Sequence, residues 1–345
     1  MRFGILMNTQ APPDGATIPQ LYQEIFREAE LAEEVGFDSV FLPEHHMMPD
    51  GYIPQPLLLL AGIAARTSRI RVGTSILHLP ERNPIHVAEE VAVLDNISQG
   101  RVTLGIGLNL IAHDFELFDV PMAGATRRFE EQIEILRRSW TQAKFSFDGE
   151  FYSYEDIPIM PRVLQDPHPP LLIGAMSDPA VRRAGRLGLG WICDPLTHLD
   201  TAEAWTAMYH EALAEGGTGE RPNVVLIRDC WVGPEKDLRE LWWPTILNYH
   251  LFYKNLGFFT SGRFNTTYEP WVTTATDDDW TYERVLPNRA IYGSVDEVVD
   301  EIGRYSELLG VEELILAFRH STGPTHEHTL EAIERFGREV IPQLA

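Results

Sequence analysis

The residues best placed to do chemistry are Glu44, His45 and His46, which follow the apolar run Ser39-Val40-Phe41-Leu42 after one proline. A strand ending in Glu-His-His brings a carboxylate and two imidazoles to one point. That combination serves either acid–base transfer or metal ligation. Adjacent side chains on an extended segment point to opposite faces, so at most one of the two histidines can face a shared site. A metal centre needs ligands converging from several positions. After the first strand, where a metal-dependent barrel hydrolase would carry a His-x-His pair, this chain has Met7-Asn8-Thr9-Gln10. No metal is therefore expected, and one imidazole is expected to act as hydrogen-bond donor or acid/base, with its neighbour packed behind it.

Two further segments carry small polar groups. Gly105-Ile106-Gly107-Leu108-Asn109 lacks the third glycine of a dinucleotide fingerprint, yet its glycines allow close approach of backbone to a planar ligand. Gly174-Ala175-Met176-Ser177-Asp178-Pro179 opens a helix, with Pro179 suited to its first turn. Free amides there, with the Ser177 hydroxyl, suit a phosphate; an ordinary helix cap is the alternative.

These residues must be positioned by the elements around them. Apolar runs at Phe3–Met7, Ser39–Leu42, Arg71–Ser75, Val102–Ile106, Leu171–Ile173, Trp191–Cys193, Val224–Val232 and Glu313–Ala317 predict eight strands. Amphipathic segments alternate with them: 19–35, 55–66, 85–98, 125–142, 179–187, 202–214, 236–256 and 295–309, with a last helix over 327–341. In the first, Leu21, Ile25, Ala29, Ala32 and Val35 share one face, and Gly36 stops the helix. Eight such units predict a (β/α)8, or TIM, barrel spanning 1–345 as a single domain, its active site at the C-terminal rim. Two segments interrupt the repeat. Phe145 to Ser153 alternates around Asp148-Gly149 and predicts a β-hairpin insertion. Residues 242–292 hold 13 of the 35 aromatic residues. That density exceeds the need of one surface helix and predicts a lid before strand eight, offering Tyr249, Phe252, Tyr253, Phe258 and Phe259 to a substrate.

A net charge of −23 excludes nucleic acid as a partner, since phosphate backbones require basic surface. The acidity is spread along helices, as at Glu24, Glu28, Glu30, Glu33 and Glu34, which is the pattern of a solvated cytoplasmic surface. The longest apolar stretch, 56–65, is too short to cross a bilayer, and no signal-peptide core is present. Two cysteines, Cys193 and Cys230, make no disulfide framework and fit a reducing compartment.

Taken in order, the motifs resemble the bacterial luciferase-like flavin monooxygenases. The resemblance rests on Gly36 through His46, on Gly73-Thr74-Ser75-Ile76-Leu77-His78-Leu79-Pro80, and on Leu94 through Arg101. It continues through Asp114 to Pro121, the 145–152 hairpin, and Gly293 to Val298. It implies reduced FMN delivered by a separate flavin reductase, O2 as co-substrate, a C4a-hydroperoxyflavin, and oxygenation of an apolar or aromatic small molecule. His45 matches the family's functional histidine. Glu44, Thr74, Ser75, Gly107, Asn109, Ala175, Met176 and Ser177 fall on its cofactor-binding positions. A cis Ser75–Ile76 peptide and a homodimer through the helices after strands two and three are implied as well. In that dimer Ala61, Gly62, Ala64, Ala65, Val87, Val91 and Leu94 are expected at the contact. The chain departs from the family's luciferases in carrying Gly107-Leu108 where they have Cys-Arg, and Met176 and Ala180 where they have Glu and Thr. Arg127, Arg128 or Arg182 is the expected substitute for the missing phosphate-binding arginine. The same departures leave two alternatives: an F420-dependent oxidoreductase of the same superfamily, or a non-catalytic flavin-binding barrel.

Overall fold

The computed structural model describes residues 1–11, 17–109, 111–217, 221–260 and 266–344. Among the described residues eleven strands occur: β1 Arg2–Leu6, β2 Ser39–Leu42, β3 Arg71–His78, β4 Val102–Gly107, β5 Phe145–Asp148, β6 Ser153–Ile157, β7 Leu171–Gly174, β8 Gly190–Cys193, β9 Val224–Val232, β10 Ala290–Gly293 and β11 Val311–Ala317. Eight of them pair in parallel and close on themselves in the order β1-β2-β3-β4-β7-β8-β9-β11, with β11 returning to β1. All eight expected strands are there, and the fold is the expected (β/α)8 barrel.

The major helices are α1 Ile18–Val35, α2 Pro56–Arg66, α3 Pro84–Ser98, α4 Ala112–Leu117, α5 Ala125–Thr141, α6 Asp178–Arg186 and α7 Leu199–Gly216. They continue as α8 Glu235–Asp237, α9 Trp243–Asn255, α10 Tyr282–Val285, α11 Val295–Leu309, α12 His326–Arg335 and α13 Ile341–Leu344. Their limits follow from local chemistry. Thr17 caps α1 through the amide of Gln20, and Gly36 ends it with a φ of 101° that an L side chain resists. Ser294 and Glu297 form a reciprocal capping box at α11.

Inside the barrel, Phe41, Leu172, Ile192, Val225, Ile227 and Ile315 interdigitate. A larger apolar layer, including Val40, Leu60, Val91, Ile133, Trp191 and Ile302, fills the space between strands and helices. The floor is polar: Ser39 bonds Glu313, and Arg71 bonds Thr103, Gln165 and the Val102 carbonyl.

The structure corrects the sequence reading in four places. The 145–153 hairpin turns through Gly149 to Tyr152, because the Glu131 carboxylate of α5 takes the amides of Glu150 and Phe151; its second strand therefore starts at Ser153. The helices expected over 236–256 and 327–341 each contain a π turn, at Leu238–Trp242 and Phe336–Val340. Each turn lies just ahead of a proline, Pro244 and Pro342, whose missing N–H cannot continue the α pattern. The short β10 and α4 were not expected. Finally, Val87, Val91, Leu94 and Ala64 are buried against the barrel, and the ring of Phe26 covers Gly62. The large apolar side chains left exposed on α2 and α3 are Leu58, Val93 and Ile97, and of the residues expected at the contact Ala65 is exposed as well. No helix among the described residues is long and apolar enough to cross a membrane.

Candidate active site at the C-terminal rim

The turn after β2 splits its three polar residues as strand alternation requires. His45 faces the lid: its Nε2 lies 3.2 Å from the Tyr253 hydroxyl of α9, and its ring stacks on Tyr52 at 4.2 Å. Its Nδ1 is buried without a partner. Burial, with the neighbouring His78 and His46, pushes the His45 imidazole down to about 3. It is therefore neutral at ordinary pH, with one nitrogen to accept and one to donate. Burial pushes the Tyr253 hydroxyl up to about 12, so it keeps its proton.

Glu44 and His46 turn the other way and bond each other at 2.8 Å. Glu44 also accepts from Arg82 at 2.6 Å and from the His78 amide at 2.8 Å, so both its oxygens are engaged by protein groups. Burial alone would raise its carboxyl; the His46 bond and the His78 and Arg82 charges override that and hold it below the usual range. Behind it, Asn109 Nδ2 bridges Glu81 at 2.6 Å and Asp114 at 2.5 Å. Burial, with Asp114 and Glu44 adding to it, pushes Glu81 up to about 7. Glu44, His46 and His78, and again His78, Glu81 and Asp114, come close enough to hold a metal ion. Both Glu44 oxygens and one oxygen each of Glu81 and Asp114 are taken by His46, Arg82, the His78 amide and Asn109, while Glu81 Oε2 and His78 Nδ1 are buried without a partner among the described residues.

Ile76, at the end of β3, lies over two glycines. A Cβ at Gly107 or Gly174 would collide with the Ile76 side chain, so both strands give up their side chains there to seat it. The Ser75–Ile76 peptide is cis, and the β3–β4 register shifts between Thr74 and Leu77. Thr74 donates its hydroxyl to the Gly105 carbonyl at 2.7 Å, while Ser75 Oγ is buried without a partner among the described residues. A planar ring placed here would rest on Ile76.

At the start of α6, Ala175 is buried and its carbonyl takes the Trp191 indole at 2.9 Å. Met176 packs against the lid, and the Ser177 hydroxyl makes no capping bond. The cations expected to replace the missing arginine are engaged elsewhere. Arg127 pairs with Glu150, Arg128 bonds the Pro121 carbonyl and Arg182 pairs with Glu211. The anion-binding capacity of this turn thus rests on amides and one hydroxyl.

The expected lid is real in the sense of packing. Phe259, Val272, Trp280 and Val285 form their own cluster with Leu196, and Tyr253, Tyr249 and Phe258 pack against it. Phe252 meets Tyr253 edge-on at 5.1 Å. Sequence reasoning did not single out the partners waiting beneath. His320, after β11, bonds Asp229 of β9 at 2.8 Å and stacks on Tyr249 at 4.1 Å. Strand parity was the available signal, since Asp229 shares the inward face of Val225 and Ile227. A cleft of about 530 Å³, bounded by Gln10, Asp50, Tyr249, Phe252 and Thr322, opens between lid and rim, within the range of small-molecule sites.

Comparison with known proteins gives the family and agrees with the fold. The model of the luciferase-like monooxygenase family matches residues 1–312. The chain is 27% identical over 352 residues to the oxygenase component of a flavin-dependent trigonelline monooxygenase from Acinetobacter baylyi, covering 99% of this chain and 95% of that one. It is 30% identical over 327 residues to an F420-dependent glucose-6-phosphate dehydrogenase from Microbacterium testaceum, covering 91% of each. Its fold matches the oxygenating constituent of 3,6-diketocamphane monooxygenase from Pseudomonas putida, solved with FMN, at a TM-score of 0.82 and 20% identity over 99% of this chain and 98% of that one.

Proposed function

The chain belongs to the luciferase-like monooxygenase family, and from that premise we propose that it is the oxygenase component of a two-component system. In this reading it takes reduced FMN from a separate flavin reductase and uses O2 to oxygenate an apolar or aromatic small molecule. The observation that carries it is the neutral His45 imidazole, hydrogen-bonded to a lid tyrosine at the C-terminal rim of the barrel. Residues 1–345 act as one domain. Its two cysteines are buried free thiols, which suits a cytoplasmic location.

The residues fit a flavin at its ring and less fully at its phosphate. The Thr74–Ile76 segment, with Ile76 seated on Gly107 and Gly174, would support the ring, and the Met176 amide with the Ser177 hydroxyl would meet the phosphate, since the Ala175 amide is taken by the Ile192 carbonyl. The flavin, when bound, supplies the activation of oxygen; the protein supplies position, dryness and protons. His45 can hold or pass a proton between its Nδ1 and Nε2 sides, with the Tyr253 hydroxyl as partner. The aromatic lid excludes water from that exchange.

The missing arginine and the F420-dependent relative support a second reading, hydride transfer with F420. One experiment separates the two. Purified protein is titrated with FMN, reduced FMN and F420, and oxygen uptake is followed with each reduced cofactor. Micromolar binding of reduced FMN with oxygen uptake is expected. Tight binding of F420 alone, with no oxygen uptake, would replace the monooxygenase reading by the second one.

A further inference from the structure

Behind the His45 corner, the hydrogen bonds described above leave two buried atoms over. His78 Nδ1 and Glu81 Oε2 have no hydrogen-bond partner among the described residues. They face each other at 3.8 Å, and the Glu81 side chain is 2% exposed. His46 Nε2 lies 3.9 Å from the same Glu81 oxygen. These separations are too long for hydrogen bonds. They suit donors that share an ion. Ligands about 2.0–2.2 Å from a tetrahedral metal stand about 3.3–3.6 Å from one another, so a small side-chain movement closes the difference.

Asp114 completes the set. A carboxylate oxygen of Asp114, one of Glu81 and a ring nitrogen of His78 all come within 4.8 Å of one another. They converge from three positions: the end of β3, the turn that follows it, and α4 beyond β4. The expectation of no metal rested on the missing His-x-His pair after β1 and did not test this side of the rim. The outer support is also present. Asn109 Nδ2 donates to Glu81 Oε1 at 2.6 Å and to Asp114 Oδ2 at 2.5 Å. One amide thus holds each carboxylate by one oxygen and leaves the other for an ion, as ligating carboxylates require. Asn109 Oδ1 takes the Ile111 amide at 2.8 Å, which fixes the orientation of that side chain.

Two carboxylates against one neutral amide leave negative charge that a cation would close. Arg82 directs its terminal nitrogens to Glu44 and Gln55 instead. A cavity of about 240 Å³, bounded by His46, Glu81, Arg82, Glu90 and Phe118, opens beside the cluster and gives an ion a path in from solvent. The donor set narrows the choice of ion. Mg2+ and Ca2+ favour shells made of oxygen, whereas an imidazole beside two carboxylates suits zinc, iron(II) or manganese(II).

We propose that His78, Glu81 and Asp114 hold a divalent transition-metal ion, with water as its fourth ligand. The ion ties the turn after β3 to α4 and so stiffens the wall behind His45. Its role is structural, and it stands whether or not the oxygenase reading does.

The test reads binding rather than turnover. Purified full-length chain is freed of metal on a chelating resin, the form in which its pH dependence is also measured, and is titrated with Zn2+ by calorimetry. One equivalent per chain is expected, with micromolar or tighter affinity. The melting temperature should rise by about 2–4 °C at about a hundredfold excess over Kd. Mg2+ should bind at least about a hundredfold more weakly. Glu81→Gln, and separately Asp114→Asn, should weaken zinc at least about tenfold. His86→Ala, which removes an exposed histidine at the mouth of the cavity, should leave it unchanged. An anomalous difference map of zinc-loaded crystals locates the ion without any variant, and so decides the matter where a variant does not fold. A metal-free chain that takes up no zinc, equal binding of Mg2+, or an affinity indifferent to both carboxylate substitutions would overturn the proposal. So would an affinity lost in His86→Ala or a peak away from His78 Nδ1, either of which marks an adventitious ion only.

Discussion

His45 and His46 are one peptide bond apart and are given opposite tasks by the pleat of an extended chain. His45 looks to the lid and Tyr253, and His46 is tied to Glu44 behind the rim. His45→Ala is therefore expected to lower turnover by about 10²–10⁴-fold at saturating reduced flavin, with flavin affinity little changed. His46→Ala is expected to lower the melting temperature, since Glu44 loses a partner, and to leave turnover per folded molecule nearly intact. Full turnover in His45→Ala would remove the imidazole from the chemistry. The titrating groups also set how stability depends on pH. His45 at about 3 and His250 at about 4 lie below the unfolded value near 6.5, so unfolding takes up protons below that pH. Their contribution is lost as pH falls, with a slope of up to about 1.4 kcal/mol per pH unit for each. Glu81, raised to about 7, acts in the opposite sense: its contribution is present at low pH and lost as pH rises through 7. The melting temperature should thus fall from pH 6.5 to 5, and Glu81→Gln should steepen that fall. A shallower slope in Glu81→Gln would show that Glu81 is ionised in the folded protein.

At the scale of elements, the inward face of the barrel decides what can lie on it. Gly107 ends β4 where a side chain would strike Ile76. Gly107→Ala is expected to cost about 1–3 kcal/mol of stability through that overlap. The same change displaces Ile76, on which the ring is proposed to rest, so flavin binding should weaken even where folding is restored by lower temperature. Unchanged flavin affinity in a folded Gly107→Ala would place the ring elsewhere. The eight barrel strands and the Glu44–His46 corner were legible in the sequence because buried parallel strands read as continuous apolar runs. The 3.6-residue spacing of Leu21, Ile25, Ala29 and Ala32 was equally plain. Strand β10 was not, because four residues just after Pro287 carry no period of their own. Asp229 was hard to read for a different reason: β9 is buried along its whole length, so its parity with Val225 and Ile227 was a signal, but composition did not say which parity turns inward. The bond from Asn109 to Glu81 behind the rim likewise joins residues 28 apart, which no local spacing announces.

The molecule as a whole carries a net charge of −23, which opposes association at random faces. One surface is suited to overcome it. Helices α2 and α3 lie side by side and present Leu58 at 75% exposure, Val93 at 46% and Ile97 at 45%. Three large apolar side chains stand exposed on these two adjacent helices, where a self-complementary twofold contact would cover them, and a closed pair is the commonest oligomer. The earlier candidates Val87, Val91 and Leu94 are already spent on the barrel core, so the contact must use the outward side of the same helices. We propose a homodimer through this face. Sedimentation at micromolar concentration should give twice the 39.2 kDa of the chain. Leu58→Glu with Ile97→Glu should return it to the mass of a single chain, because two carboxylates per copy would be brought together across the twofold axis without a counter-charge. Both positions are exposed in the single chain, so the double variant should melt within a few degrees of the parent at concentrations where the parent is itself dissociated. A wild-type chain that sediments as a monomer, or a double variant that still pairs, would remove α2 and α3 from the interface and leave the exposed leucine and isoleucine without a role.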